Sequence, residues 1–266
     1  MIRIRALTKH YGDNAVLRGV DLDAAAGEFL VVLGESGAGK STLLRCMNRL
    51  TVADSGELRM GDLDAVCCPD PAALRRQVAM IFQHHHVVPR LTALKNVLTG
   101  RLGSVSTLAS ILHLFRRSDI ALAQECLARV GLEQKAHART DSLSGGQMQR
   151  VGIARALAQR PQVILADEPV ASLDPHSARR VLQYLRDASR DLGITVVCNL
   201  HQVDYAREFA DRIVGLAHGR VVFNGDSASL GDADIARIYQ SAPQTAAQPA
   251  RGAHAVPFTP ALAEGS

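Results

Sequence analysis

A chain of 266 residues with 47% hydrophobic content is long enough for one large α/β domain with a lobe inserted into it, and it supports a substantial buried core. Its net charge of +4 is modest and spread along the chain, and with no Trp and 4% aromatics it has neither a clustered basic stripe nor a base-stacking platform, which argues against nucleic acid as a partner. No apolar stretch approaches the ~20 residues needed to cross a bilayer, and Met1-Ile2-Arg3-Ile4-Arg5 lacks the apolar region of a secretory signal; the chain is expected to stay in the cytosol and to meet any membrane through partners.

Residues 1–30 alternate apolar and polar positions in short pieces, Ile2 and Ile4, then Val16, Leu17, Val20 and Leu22, with Gly12-Asp13-Asn14 as the turn of an antiparallel pair. The apolar run Phe29-Leu30-Val31-Val32-Leu33, bounded by glycines, reads as a buried parallel strand. From Gly39 a helix is expected through Leu43, Leu44, Met47 and Leu50, whose spacing makes one apolar face. Ser55-Gly56 and Gly61-Asp62 mark turns of a second small β piece.

Between about 91 and 160 the pattern is mainly helical and reads as an inserted lobe: Leu108, Ile111, Leu112 and Phe115, then Leu122, Cys126, Leu127 and Val130 before a stop at Gly131. The strand Val163-Ile164-Leu165-Ala166, a helix over about 177–191 with Val181, Leu182 and Leu185 on one side, and a strand from Ile194 to Cys198 after Gly193 complete the alternation of a doubly wound, mostly parallel sheet. The five cysteines, Cys46, Cys67, Cys68, Cys126 and Cys198, lack paired spacing and read as reduced thiols, the adjacent Cys67 and Cys68 being either a redox pair or filler. Residues 241–266, with eight Ala, four Pro and no period, are expected to be disordered, since they bury too little to offset ordering entropy.

Gly34-Glu35-Ser36-Gly37-Ala38-Gly39-Lys40-Ser41 fits G-x-x-x-x-G-K-[ST] and falls between a buried strand and a helix start, where a phosphate loop must lie. Glycines let backbone N–H groups converge on phosphate oxygens, the helix start adds its positive end, Lys40 reaches the β- and γ-phosphates, and Ser41 can ligate Mg²⁺. Asp167-Glu168 closes an apolar strand at the edge of the sheet where ligands bind. Asp167 suits the Mg²⁺ shell, a hard cation taking oxygen ligands, and Glu168 is left to orient or deprotonate the attacking water. Leu143-Ser144-Gly145-Gly146-Gln147 opens a second helix with glycines and a hydroxyl, which reads either as a plain helix cap or as a second anion site.

The phosphate loop at 34–41, Gln83, Leu143–Gln147, Leu165–Glu168, Ser172-Leu173-Asp174 and His201, in this order, closely resemble the ATP-binding subunits of ABC transporters over about residues 1–235. The resemblance implies a P-loop NTPase core with an antiparallel β subdomain and an inserted helical subdomain, forming one ATP-binding domain over 1–240. It makes Tyr11 the aromatic on adenine and adds Thr42 to the ATP contacts. Gln83 becomes the loop glutamine that senses Mg²⁺ and the membrane partner, and His201 the γ-phosphate contact. The bland readings are a surface ring for Tyr11, a loop polar group for Gln83 and a satisfied core imidazole for His201. It further implies that Ser144, Gly145, Gly146 and Gln147 of one copy cap the γ-phosphate held by Lys40 of a second copy, with Asp174 at the seam, so that MgATP is hydrolysed only in a closed pair.

Two positions depart from the family pattern: Glu35 stands where Pro is more frequent, and Met148 where a second Gln or a basic residue is usual. Glu35 adds negative charge near phosphates, an effect that is small if its side chain points to solvent. Leu165–Pro175, Asn199–Asp204 and the stretch 100–115 are similar to the ATPase subunits of phosphonate importers. That implies a peripheral subunit at the cytoplasmic face of the inner membrane, with integral permease subunits as partners and a substrate-binding protein met indirectly. Gln83 to Leu91, including His84, His85 and His86, is the expected docking surface, and consecutive histidines rarely converge on one metal. The apolar set from Leu108 to Phe115 either packs internally or meets the permease. Phosphate, phosphite or an amino acid as cargo, and a soluble ABC protein of repair or translation, are the alternatives.

Overall fold

The computed structural model describes residues 1–83, 86–105 and 114–239. His84, His85, Leu108, Ile111, Leu112 and the expected disordered tail of 241–266 lie outside the described residues.

Strand β1 (Ile2–Tyr11) folds back on β2 (Asn14–Ala24) as an antiparallel hairpin, with Ile4 opposite Leu22 and Tyr11 opposite Asn14. Its apolar row, Ile2, Ile4, Leu7, Val20 and Leu22, is buried while the alternate positions face water. In β3 (Phe29–Leu33) every residue is buried, because both faces of this strand are covered. Phe29, Val31 and Leu33 enter one core and Leu30 and Val32 the other.

Helix α1 (Lys40–Met47) puts Leu43, Leu44 and Met47 into the second core, as its spacing requires. It ends at Met47 rather than running on to Leu50: Asn48 caps it, Arg49 turns into the left-handed region at φ 51°, and Leu50 is left 47% exposed. The next β piece also differs from expectation. Ser55-Gly56 begins β4 (Ser55–Met60) instead of forming a turn, and Gly56 is squeezed against β1, where a Cβ would lie 2.6 Å from the Ala6 carbonyl oxygen. With β5 (Leu63–Asp64) this strand completes a four-stranded antiparallel sheet of order β2-β1-β4-β5.

Helix α2 (Pro71–Gln77) runs straight into β6 (Val78–Ile81) without a loop. Helices α3 (Ala93–Leu98), α4 (Arg117–Arg129) and α5 (Gly145–Ala158) bury Val97, Leu98, Leu127, Ile153 and Leu157 in the first core. The half-buried ion pair from Arg101 to Asp119, at 2.9 Å, ties the segment after α3 to α4. The elements β7 (Val163–Asp167), α6 (Pro175–Leu192) and β8 (Thr195–Asn199) alternate as the sequence pattern demands, and α7 (Val203–Phe209), β9 (Arg212–Ala217), β10 (Arg220–Asp226) and α8 (Asp232–Ile238) follow. The six-stranded sheet has the order β10-β9-β3-β8-β7-β6 and is parallel except for β10. All five cysteines are unpaired, with Cys67 exposed and the others buried.

Helix α6 is delimited at both ends by its sequence. Asp174 Oδ1 accepts from the His176 and Ser177 N–H groups at 3.1 and 3.0 Å, Pro175 occupies a position that needs no donor, and Gly193 stops the helix at φ 66°. Its face of Val181, Leu182, Leu185 and Ala188 is buried, and Arg186 clamps both oxygens of Asp211 at 2.5 Å while Asp211 accepts from the Phe29 N–H at 2.9 Å. Truncating Leu185 to Ala is therefore expected to lower the unfolding free energy by ~2–5 kcal/mol. A urea titration checks it; a loss below about 1 kcal/mol would mean that α6 does not share the main core.

Candidate nucleotide site

Strands β3, β8, β7 and β6 lie side by side and end on one edge of the sheet. The phosphate loop follows β3, His201 follows β8, Glu168 follows β7 and Gln83 follows β6, so topology alone gathers residues scattered over the sequence.

The loop from Gly34 to Gly39 can be built only with glycine at its two ends. A Cβ at position 34 would lie 2.3 Å from the Leu216 carbonyl oxygen, and one at position 39 would lie 2.9 Å from that of Val16, with Gly39 also at φ 105°. Lys40, 4% exposed, turns back into the loop and donates from Nζ to the Gly34 and Glu35 carbonyl oxygens at 2.7 and 3.0 Å. Burial lowers its pKa from 10.5, against the opposing pull of the Glu168 and Asp167 charges. Ser36 and Gly37 are exposed at the loop tip, Ala38 is buried, and Thr42 is half-buried on the first turn of α1. Glu35 is half-buried rather than turned fully to solvent.

Ser41 Oγ donates to Asp167 Oδ1 at 2.8 Å, joining the loop to the end of β7. The same oxygen accepts from Asn199 Nδ2 at 2.9 Å, and the Oδ1 of Asn199, fully buried, has no hydrogen-bond partner among the described residues. A hydroxyl, a carboxylate and an orphaned amide oxygen are the hard donors that suit Mg²⁺. Glu168 has φ 50°, an uncommon conformation for a side-chain-bearing residue, and its Oε1 lies 2.6 Å from His201 Nε2. Gln83 is exposed two residues past β6, beside the Asp167 end of β7.

A second group lies on two other helix starts. Ser144 Oγ accepts from the Gln147 N–H at 3.3 Å and Gln147 Oε1 accepts from the Ser144 N–H at 3.0 Å, a reciprocal cap. Gly146 packs on the start of α6: a Cβ there would stand 3.4 Å from Ser177 Oγ, beside the Asp174 cap. The side-chain hydrogen bonds of Ser144, Gln147 and Asp174 all stay within these two helix starts. Tyr11 stands apart, 50% exposed at the end of β1, with Lys9 Nζ 5.5 Å from its ring centre.

Two residues enter the site that the sequence reading did not assign. Asn199 appeared only within the Asn199–Asp204 stretch similar to phosphonate-importer ATPases, with no role given to its side chain. Tyr239, whose hydroxyl donates to the His201 carbonyl oxygen at 2.7 Å, carries no local signal.

The family model described as ABC transporter matches residues 17–171. Phosphonates import ATP-binding protein PhnC of Thiobacillus denitrificans is 53% identical over 240 residues, covering 90% of this chain and 92% of that protein. Phosphite import ATP-binding protein PxtA of Stutzerimonas stutzeri is 51% identical over 256 residues, covering 94% and 90%. Among solved structures, a dimeric ATP-binding cassette in a post-hydrolysis state bound to ADP and Pi superposes with a TM-score of 0.74 at 33% identity, covering 86% of this chain and all of that one. The chain belongs to the ABC transporter family, as the resemblance implied, and carries the family's P-loop ATPase fold.

The lowered pKa of Lys40 gives ATP binding a pH signature. The free protein releases this proton at a pH below 10.5, and phosphate charge restores it, so binding takes up a proton in the alkaline window and affinity falls as pH rises through it. Calorimetry in buffers of different ionisation enthalpy measures the uptake. Proton-neutral binding with a flat alkaline affinity would contradict this placement of Lys40.

Proposed function

We propose that the chain is the ATP-hydrolysing subunit of an importer for phosphonates, a peripheral protein at the cytoplasmic face of the inner membrane that works as a pair of copies beneath integral permease subunits. A separate substrate-binding protein would select the cargo. The observation that supports the catalytic part is the meeting of Lys40, Ser41, Asp167, Glu168 and His201 on one sheet edge, with a 2.6 Å contact between Glu168 and His201. The cargo reading rests on relatives at 46–53% identity named for phosphonates import.

In this reading the Gly34–Thr42 segment holds the triphosphate, Lys40 exchanging its two carbonyl partners for phosphate oxygens, and Tyr11 covers the adenine. Ser41, Asp167 and Gln83 hold Mg²⁺, which neutralises charge on the phosphate oxygens when bound. Glu168 accepts the proton of the attacking water, and His201 orients Glu168 and contacts the γ-phosphate. Ser144, Gly145, Gly146, Gln147 and Asp174 act on the nucleotide of the facing copy. Losing one such donor costs ~10²–10³ in rate, which makes hydrolysis depend on closure.

Docking to the permease uses the segment after Gln83. At Val88 it is tied to the helical side of the molecule by buried Asn96, which accepts from the Val88 N–H at 2.7 Å and donates to Thr140 at 3.3 Å. A cleft of about 480 Å³ opens beside it, lined by Phe82, His86, Gly100, Arg75, Arg76 and Arg155. Movement of either side on ATP binding would thus reach the docking face.

Glu168→Gln should retain ATP, accumulate as a nucleotide-bound dimer and lose turnover by ~10²–10⁴. Hydrolysis near the parental rate would reject the role of Glu168. Lys40→Ala should instead weaken nucleotide binding itself. For cargo, a deletion strain should fail to grow on methylphosphonate as sole phosphorus source. The phosphite-import relative at 51% identity supports the second reading, for which growth would fail on phosphite alone.

A further inference from the structure

We infer that Tyr239 is a positioning residue for hydrolysis: by donating from its hydroxyl to the backbone carbonyl of His201, it fixes the turn that presents the imidazole to Glu168. The inference rests on the assignment of His201 and Glu168 to the hydrolytic site.

The turn between β8 and α7 has few anchors of its own. On its entry side the Leu200 N–H donates to the Val32 carbonyl at 3.1 Å, tying it to the strand that feeds the phosphate loop. On its exit side Gln202 starts α7 with no side-chain cap. The His201 carbonyl is held by a residue 38 positions later in the chain, at 2.7 Å.

Tyr239 is itself held firmly. It ends α8 with its N–H on the Ile235 carbonyl at 3.0 Å, and the preceding Ile238 is 1% exposed. Ile238 packs onto Gly215 of β9 so closely that a Cβ at 215 would lie 2.4 Å from it. The approach to α8 is fixed as well, by Arg207 of α7 donating to the Leu230 carbonyl at 2.8 Å. Helix α8 thus rests on the strand next to β3 and reaches across to the His201 turn. Burial, with the Glu35 charge adding to it, raises the pKa of the Tyr239 hydroxyl, which keeps it a donor at every physiological pH. The carboxylate that sets this phosphate loop apart from the family pattern therefore acts on the same hydroxyl that holds His201.

A single 2.6 Å contact between His201 and Glu168 is sensitive to small displacements, and misplacing a catalytic group by about 1 Å can cost up to ~10²-fold in rate. Tyr239→Phe removes one oxygen and keeps the ring, so the full-length chain should lose about tenfold in kcat for ATP hydrolysis, with KM within about twofold of the parent. In a His201→Ala background the same change should add no further loss, because Tyr239 acts through His201. Leu127→Ala in the core face of α4 provides the control for lost stability: it touches neither α8 nor the His201 turn, and should lower Tm while kcat is retained. Unchanged kcat in Tyr239→Phe, an additive loss in the His201→Ala background, or an equal kcat loss in Leu127→Ala would each overturn the inference. If His201→Ala itself hydrolyses ATP at the parental rate, the site assignment fails, and the inference with it; a slow His201→Ala with a silent Tyr239→Phe defeats the inference alone.

Discussion

The structure depends on a buried ammonium held by the backbone it must later release. An uncompensated charge cannot remain at 4% exposure, and Lys40 remains there because the Gly34 and Glu35 carbonyls face its Nζ. Even so, burial lowers its pKa, so the arrangement is a compromise that negative phosphate oxygens improve. The two end glycines of the loop leave no room for a side chain, since any Cβ there would strike the carbonyls of Leu216 or Val16. The candidate binding site and the fold constraint are the same residues.

That loop is held in register by the sheet behind it. Phe29, at the base of β3, is bonded to Asp211, which Arg186 clamps from α6, while the top of β3 feeds the loop. Asp167 performs the corresponding service from the next-but-one strand, accepting from Ser41 and from Asn199 at once. Strand β3 and helix α6 are therefore tied together at the base of the sheet, and β7 and β8 to the phosphate loop at its top. This rigidity is what a reaction driven by positioning and charge requires, because donors already aimed need no reorganisation when charge develops.

The chemistry was more legible in the sequence than the packing. Gly34–Ser41, Asp167-Glu168 and Leu143–Gln147 could be read because phosphate, metal and water each demand particular side chains at fixed spacing, and the flanking apolar runs located them on strand ends. The partnerships between distant segments were not legible. Asn199 and Tyr239 reach the site through contacts 32 and 38 residues away in sequence, for which no local period exists. Leu50 fitted the helical spacing of α1 but falls beyond it, because Arg49 adopts a left-handed turn that apolar spacing cannot reveal. Gly56 looked like a turn residue and is instead a strand glycine pressed against β1, a position defined only once the two strands meet. Strand β6 escaped notice because α2 runs into it with no turn residues between.

The division of the site into two groups has a mechanical consequence. Within one chain Ser144 and Gln147 satisfy each other, so the signature helix start is stable without any ligand, and Gly146 and Asp174 share one packed corner with it. The Ser144 bond is long, at 3.3 Å, and thus the weaker half of that cap. An anion offered by a facing copy could replace it at little cost, whereas Lys40 gives up two short bonds only for a full phosphate. In the proposed pair, loading of the nucleotide on one copy would come first and engagement by the facing copy would follow as the easier step, which orders binding before closure.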